Sequence, residues 1–167
     1  MSNVTTLSRG AAADGSVPTV SGIQNDVVSM TVAGQLFGIP VMAVQDVLGP
    51  QRITRVPLAP AEVAGSLNLR GRIVTAIDVR RRLRLGAREK DQQGMNVVVE
   101  CDGELYSLIV DTVGEVLSLP TASYERNPAT LDQVWREVSG GIYRLKEGLL
   151  LMVDVQKLIG SAKAEAA

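Results

Sequence analysis

The sequence predicts an all-β fold of two pseudo-symmetric five-stranded barrels around a shared hydrophobic core, with few short helices. Three observations point there. The interior must be aliphatic, because the 167 residues are 46% hydrophobic but only 3% aromatic, and Val and Ile suit pleated, half-buried strands. Turn signals break the apolar runs at short intervals. The chain also repeats itself.

The repeat is direct. Sliding Val28–Leu48 by 69 positions lays it on Val97–Leu117 without a gap, and seven of 21 positions are identical. Phe37 falls on Tyr106, Ile39 on Leu108 and Asp46 on Glu115. A second match, offset by 76, lays Ile73–Val79 on Leu149–Val155. The changed offset places an insertion in the second copy. One five-stranded barrel of about 60 residues buries too little surface to stand alone, so two copies packed together supply the missing core.

In chain order, residues 1–24 are rich in Ser, Thr, Gly and Ala and lack an apolar period; they read as a flexible tail. The folded unit spans 25–160, with repeats at about 28–83 and 97–158, and 161–167 form a C-terminal tail, a short helix or a frayed end. Val28–Val32 alternates, Ala33-Gly34 turns, and Leu36–Ile39 returns. Asp102-Gly103 repeats that hairpin signal. Val41–Leu48 reads as a further strand, and Pro50, Pro57 and Pro60 punctuate the loop after it. Ala59–Ala64 reads as a short helical turn. Leu67–Leu69 and Ile73–Val79 read as strands around Arg70-Gly71, and Val79–Leu85 as a short helix or turn carrying arginines.

Composition excludes several chemistries. There is no histidine, which removes Ser-His-Asp and Cys-His catalysis and His-ligated metals. The single cysteine, Cys101, allows no internal disulfide or paired-cysteine metal motif, and its apolar surroundings suit an inert thiol. No glycine run forms a phosphate-cradling loop. The start lacks the apolar stretch of a signal peptide, and no segment approaches the ~20 apolar residues of a membrane span. A cytoplasmic protein without direct membrane insertion is expected.

Repeat-equivalent carboxylates are the best catalytic candidates: Asp46 with Glu115, and Asp78 with Asp154. Neither pair has a His, Lys or Tyr at useful spacing, so no catalytic residue, metal ligand or cofactor is assigned. Charge is uneven, +5 over residues 1–90 and −6 over 91–167, which could suit head-to-tail association. The arginines between Arg70 and Arg88, with Lys90, raise the question of nucleic-acid binding. No aromatic is interleaved with them, and net charge is −1. A solvated face or a protein contact fits better. Arg70 stands apart in Asn68-Leu69-Arg70-Gly71, where its fork could pair with a partner carboxylate or lie idle in an exposed turn.

Three stretches together carry a resemblance. They are Phe37-Gly38-Ile39-Pro40-Val41 with Val44-Gln45-Asp46-Val47; Ile53-Thr54-Arg55-Val56-Pro57, continuing through Val63–Arg80; and Val110–Leu117. In combination they resemble the CheW family of chemotaxis coupling proteins over about residues 26–160. The resemblance implies two SH3-like five-stranded barrels. It implies a non-enzymatic adaptor joining the regulatory domain of the histidine kinase CheA to the cytoplasmic tip of chemoreceptors. It would be held at the inner membrane through receptor arrays and would need no cofactor. Receptor contacts carried over by position are Val44, Asp46 and Arg70, with Val41 and Val113 lining the groove; Arg55 and Val56 would meet the kinase. The family's usual Glu is Asp46 here, with the same charge and a shorter reach. The tail at 1–24 is longer than a minimal member needs. Two other readings stay open: a nucleic-acid-binding β-barrel, and a CheW-like scaffold of a non-chemotaxis signalling array.

Overall fold

The computed structural model describes residues 24–88 and 93–166, with the side chains of 161–166 left aside. Of the tail expected over 1–24, residues 1–23 lie outside the described residues, as do Lys90 and Ala167, whereas Gln24 opens the first strand. Ten strands form two five-stranded sheets. They are β1 (Gln24–Val32), β2 (Gln35–Pro40), β3 (Val44–Leu48), β4 (Val63–Leu69), β5 (Arg72–Asp78), β6 (Met95–Cys101), β7 (Glu104–Val110), β8 (Thr112–Pro120), β9 (Ser139–Leu145) and β10 (Gly148–Val153).

One sheet has the order β8-β1-β2-β10-β9 and the other β3-β6-β7-β5-β4. Exchanging each strand for its repeat-equivalent (β1 with β6, β2 with β7, and so on to β5 with β10) converts one order into the other. The symmetry read from the sequence is thus present in the topology. The sheets do not coincide with the copies, however. Each takes two strands from one copy and three from the other. The exchange is made by parallel pairs, β2 with β10 (Phe37 opposite Leu151) and β5 with β7 (Thr75 opposite Tyr106); the remaining pairs are antiparallel.

Each sheet curls toward closure. Beyond the edge strand β3, the chain bends so that Thr54 bridges Ser66 on the opposite edge strand β4. Beyond β8, Glu125 does the same to Ile142 on β9. These bridges are repeat-equivalent and remove much of the exposed edge that would invite aggregation.

The hairpin turns follow their residues. Ala33-Gly34, Arg70-Gly71 and Asp102-Gly103 each have positive φ at both positions, +51/+83, +53/+86 and +53/+83. Two such residues match the right-handed twist of the flanking strands. Pro40 ends β2, and Val41–Ala43 form a single 3-10 turn before β3. The single strand expected over Val41–Leu48 therefore begins only at Val44. The helix expected over Ala59–Ala64 is one turn closed by Val63 N–H on the Pro60 carbonyl at 3.0 Å, because Val63 is already paired with Ile77 in β4.

Among the described residues three short α-helices complete the fold: α1 (Val79–Arg82), α2 (Gln133–Arg136) and α3 (Val155–Ala166). Asp78 caps α1 by accepting from Arg80 N–H at 3.0 Å, and Asp154 caps α3 by accepting from Gln156 N–H at 2.9 Å. The repeated acid followed by Val is thus a helix-start signal in both copies.

The largest core cluster joins both sheets. Val28, Met30, Phe37 and Ile39 from one meet Ile77, Val97, Val99 and Leu108 from the other, with Leu158 and Ile159 of α3. Trp135 lies against Phe37 with ring centroids 5.5 Å apart. Smaller clusters belong to one sheet each, Val27–Leu119–Tyr143–Leu150 and Leu67–Val74–Ala76. Strand β1 does not alternate simply; Val27, Val28, Ser29 and Met30 are all buried because both of its faces are covered.

Candidate functional site

Asp46 lies on edge strand β3, and Arg70 sits at the end of the opposite edge strand β4. Curling of the sheet brings them together: an Arg70 terminal guanidinium nitrogen donates to Asp46 Oδ2 at 3.0 Å. The other Asp46 oxygen accepts from Val47 N–H at 2.9 Å, which fixes the carboxylate. Arg70 is held less by its side chain than by its backbone. It occupies the first position of the β4–β5 turn at φ +53, and Asn68 Oδ1 accepts from Gly71 N–H at 2.9 Å to lock that turn. A non-glycine residue in this region costs roughly 1 kcal/mol, so the fold places a strained, cationic side chain at a hairpin tip.

The ion pair is open to solvent. The Arg70 side chain is 77% exposed and that of Asp46 26%. A surface pair of this kind contributes about 0–1 kcal/mol, and only one nitrogen of the five-donor guanidinium is engaged here. The arrangement can therefore present both charges to a binding partner.

Val41, Val44 and Val113 are half-buried and packed on the shared core. Val44 opens β3 and Val113 is the second residue of β8, and these are repeat-equivalent edge strands. Arg55 and Val56 lie elsewhere, on the exposed β3–β4 loop, in a hollow of about 340 Å³ that also includes Arg81. At its tip Leu58 is fully solvent-exposed at φ +64. Thus Asp46 and Arg70 are joined directly, the three valines each pack on the shared core, and the two loop residues line a separate hollow.

The arginine run is not a free basic face. Arg80 donates twice to Asp111, at 2.9 and 2.6 Å, and Arg88 donates to the same carboxylate at 3.0 Å. Asp111 Oδ2 also accepts from Ala33 N–H at 2.8 Å. These donors, led by Arg80, hold the Asp111 carboxyl down from its ordinary 3.8 to about 2, although burial opposes the shift. Arg82 reaches α3, donating to the carbonyls of Leu158 and Lys157 at 2.6 and 2.9 Å. The run thus ties the first copy to the second. Reading the arginines as a group hid this. The available signal was that Asp111 falls on Met42 in the repeat, an acid where the other copy has none.

Of the repeat-equivalent carboxylates, Asp46 is engaged by Arg70. Asp78 and Asp154 each cap their own helix. Cys101 is buried. Among the described residues, no group of three or more His, Cys, Asp or Glu side chains could hold a metal, and no helix is long and apolar enough to cross a membrane.

Two curled sheets sharing one core, with a charged pair displayed at a hairpin tip, define a two-barrel protein. The CheW-like domain model matches residues 26–163, so the chain belongs to the CheW-like domain family. It is 29% identical over 148 residues to the chemotaxis protein CheW of Klebsiella aerogenes, covering 86% of this chain and 89% of that one. It is 26% identical over 142 residues to the chemotaxis protein CheW of Rhizobium meliloti, covering 85% and 92%. The crystal structure of the scaffolding protein TtCheW from Thermoanaerobacter tengcongensis superposes with a TM-score of 0.73 at 29% identity, covering 82% of this chain and 93% of that one.

Proposed function

We propose that the chain is a non-enzymatic adaptor that couples chemoreceptors to the histidine kinase CheA in bacterial chemotaxis. The observation that carries this reading is the exposed Asp46–Arg70 pair at the tip of a curled sheet. Its support is the similarity to proteins named chemotaxis protein CheW and scaffolding protein. In this reading Val41, Val44 and Val113 form the apolar floor against which a receptor-tip helix lies. Asp46 and Arg70 set its register through charge. Arg55 and Val56 meet the kinase's regulatory domain, so one adaptor holds two partners at once. The protein works in the cytoplasm, at the inner membrane through receptor arrays. No cofactor takes part. The functional unit spans 25–160.

A nucleic-acid role is disfavoured because Arg80, Arg82 and Arg88 are engaged within the chain. The test is reconstitution of receptor, kinase and adaptor. Arg70→Asp should abolish receptor control of kinase activity while the purified variant stays folded. Unchanged control in a folded variant sinks the assignment of Arg70.

A further inference from the structure

The repeat relates two places that are chemically unlike. In one, Arg80 and Arg88 converge on Asp111, and Asp111 accepts from Ala33 N–H at the β1–β2 turn. The Arg80 and Arg88 side chains are only 15% and 12% exposed, so the guanidinium groups fill that corner. Applying the repeat offsets turns Ala33 into Asp102, Asp111 into Met42 and Arg80 into Gln156. This second corner is an open cleft of about 430 Å³ that includes Asp102 and Gln156 in its wall.

The cleft has the chemistry that its filled counterpart uses from within. Its floor is apolar, including Ala43, Met152 and Val155. Glu100, Asp102 and Asp154 bring carboxylates to it, and among the described residues none that lines it is basic. Tyr124 forms part of the wall, stands 43% exposed, and is backed by the Tyr143 ring at 5.3 Å. A supported aromatic face beside carboxylates suits a planar guanidinium, which can stack and donate at once; an ammonium only approaches as a point charge. None of Val41, Val44, Asp46, Arg70 and Val113 lines it.

We propose that this cleft is a second docking site, which takes an arginine side chain from a partner polypeptide. The inserted guanidinium stands where Arg80 stands in the other copy. The apolar floor takes the partner's neighbouring aliphatic residues.

The test is an NMR titration of the full chain with a capped five-residue peptide carrying a central arginine flanked by leucines. Saturable shifts should centre on the amides of Cys101, Asp102 and Gly140, and replacing arginine by its neutral isostere citrulline should weaken binding about tenfold or more. The variant Gln156→Arg sets a guanidinium on the cleft wall at the position equivalent to Arg80. It should block the peptide from within while leaving the melting temperature near that of the parent. Glu100→Gln, on the rim, gives an independent reading and should weaken the peptide by about threefold or more. Absence of saturable shifts, equal binding of the citrulline peptide, or full binding by a folded Gln156→Arg variant each overturns the proposal. None of these outcomes depends on the receptor or kinase assignments.

Discussion

Gly65 and Gly141 occupy the same place in the two copies, and at each a side chain would collide with the segment that closes its sheet. A methyl group on Gly65 would overlap the Thr54 carbonyl oxygen, and one on Gly141 would overlap the Tyr124 ring. Gly65 also sits at φ +149, where only glycine is comfortable. Close approach at these two points is what lets Thr54 and Glu125 reach the opposite edges.

Gly65→Ala should therefore destabilise the protein by about 2–4 kcal/mol, from overpacking plus backbone strain. Gly141→Ala would meet the Glu125 carbonyl oxygen as well as the Tyr124 ring, but it should cost less, because Gly141 carries none of the positive-φ strain of Gly65. Denaturant unfolding checks both values; equal costs would mean that the closing bridges are more compliant than their geometry implies.

Arg70→Asn separates stability from binding. Asn is favoured before Gly in a turn of this type, and the lost ion pair is exposed. Thermal stability should stay within about 1 kcal/mol of the parent or rise. Receptor control of the kinase in reconstituted arrays should nonetheless be lost. A large drop in melting temperature would show that the ion pair supports the barrel rather than a partner.

Val44→Asp should weaken receptor binding more than kinase binding, since the kinase residues proposed here, Arg55 and Val56, lie on a separate loop. Val44 is half-buried against the core, so Val44→Thr is the companion variant that tests polarity at smaller structural cost. Titration against each partner gives the comparison. Equal loss for both would count against the groove.

Asp111 predicts an acid limit. Its folded pKa of about 2 lies below the ordinary 3.8, so the folded state favours the charged form. The resulting stability, about 2 kcal/mol, is fully present above the unfolded value and is lost as pH falls from about 4 through about 2. Asp111→Asn should flatten that part of the stability–pH curve. It should also cost about 3–5 kcal/mol near neutrality, because two largely buried guanidinium groups lose their counter-charge. Urea unfolding at several pH values measures both effects.

Much of the fold was legible because the repeat and the turns are local. Identities at a fixed offset name equivalent strands, and Ala-Gly, Arg-Gly and Asp-Gly mark hairpins regardless of context. Partner choice was not legible. An offset says that β2 matches β7 but not that β2 pairs with β10 and β7 with β5; three-dimensional packing decides that. The same limit applied to side chains. Asp46 and Arg70 could be singled out separately, but their meeting depends on sheet curvature. The Asp111 cluster depends on arginines 31 and 23 residues away. Pro40 shows the smaller error: the three residues after it, Val41–Ala43, form a 3-10 turn instead of starting the strand expected over Val41–Leu48.

The parallel pairs β2–β10 and β5–β7 make each copy's sheets unfinished without the other. Cutting the polypeptide between β5 and β6 should yield two fragments that expose open edges, bind a hydrophobic dye and fail to melt cooperatively when alone. Mixed, they should recover one transition. The same wiring means that a single ancestral copy would satisfy its hydrogen bonds by trading strands with an identical neighbour. Fusion of two such copies would turn an intermolecular exchange into the covalent one that now holds this molecule together.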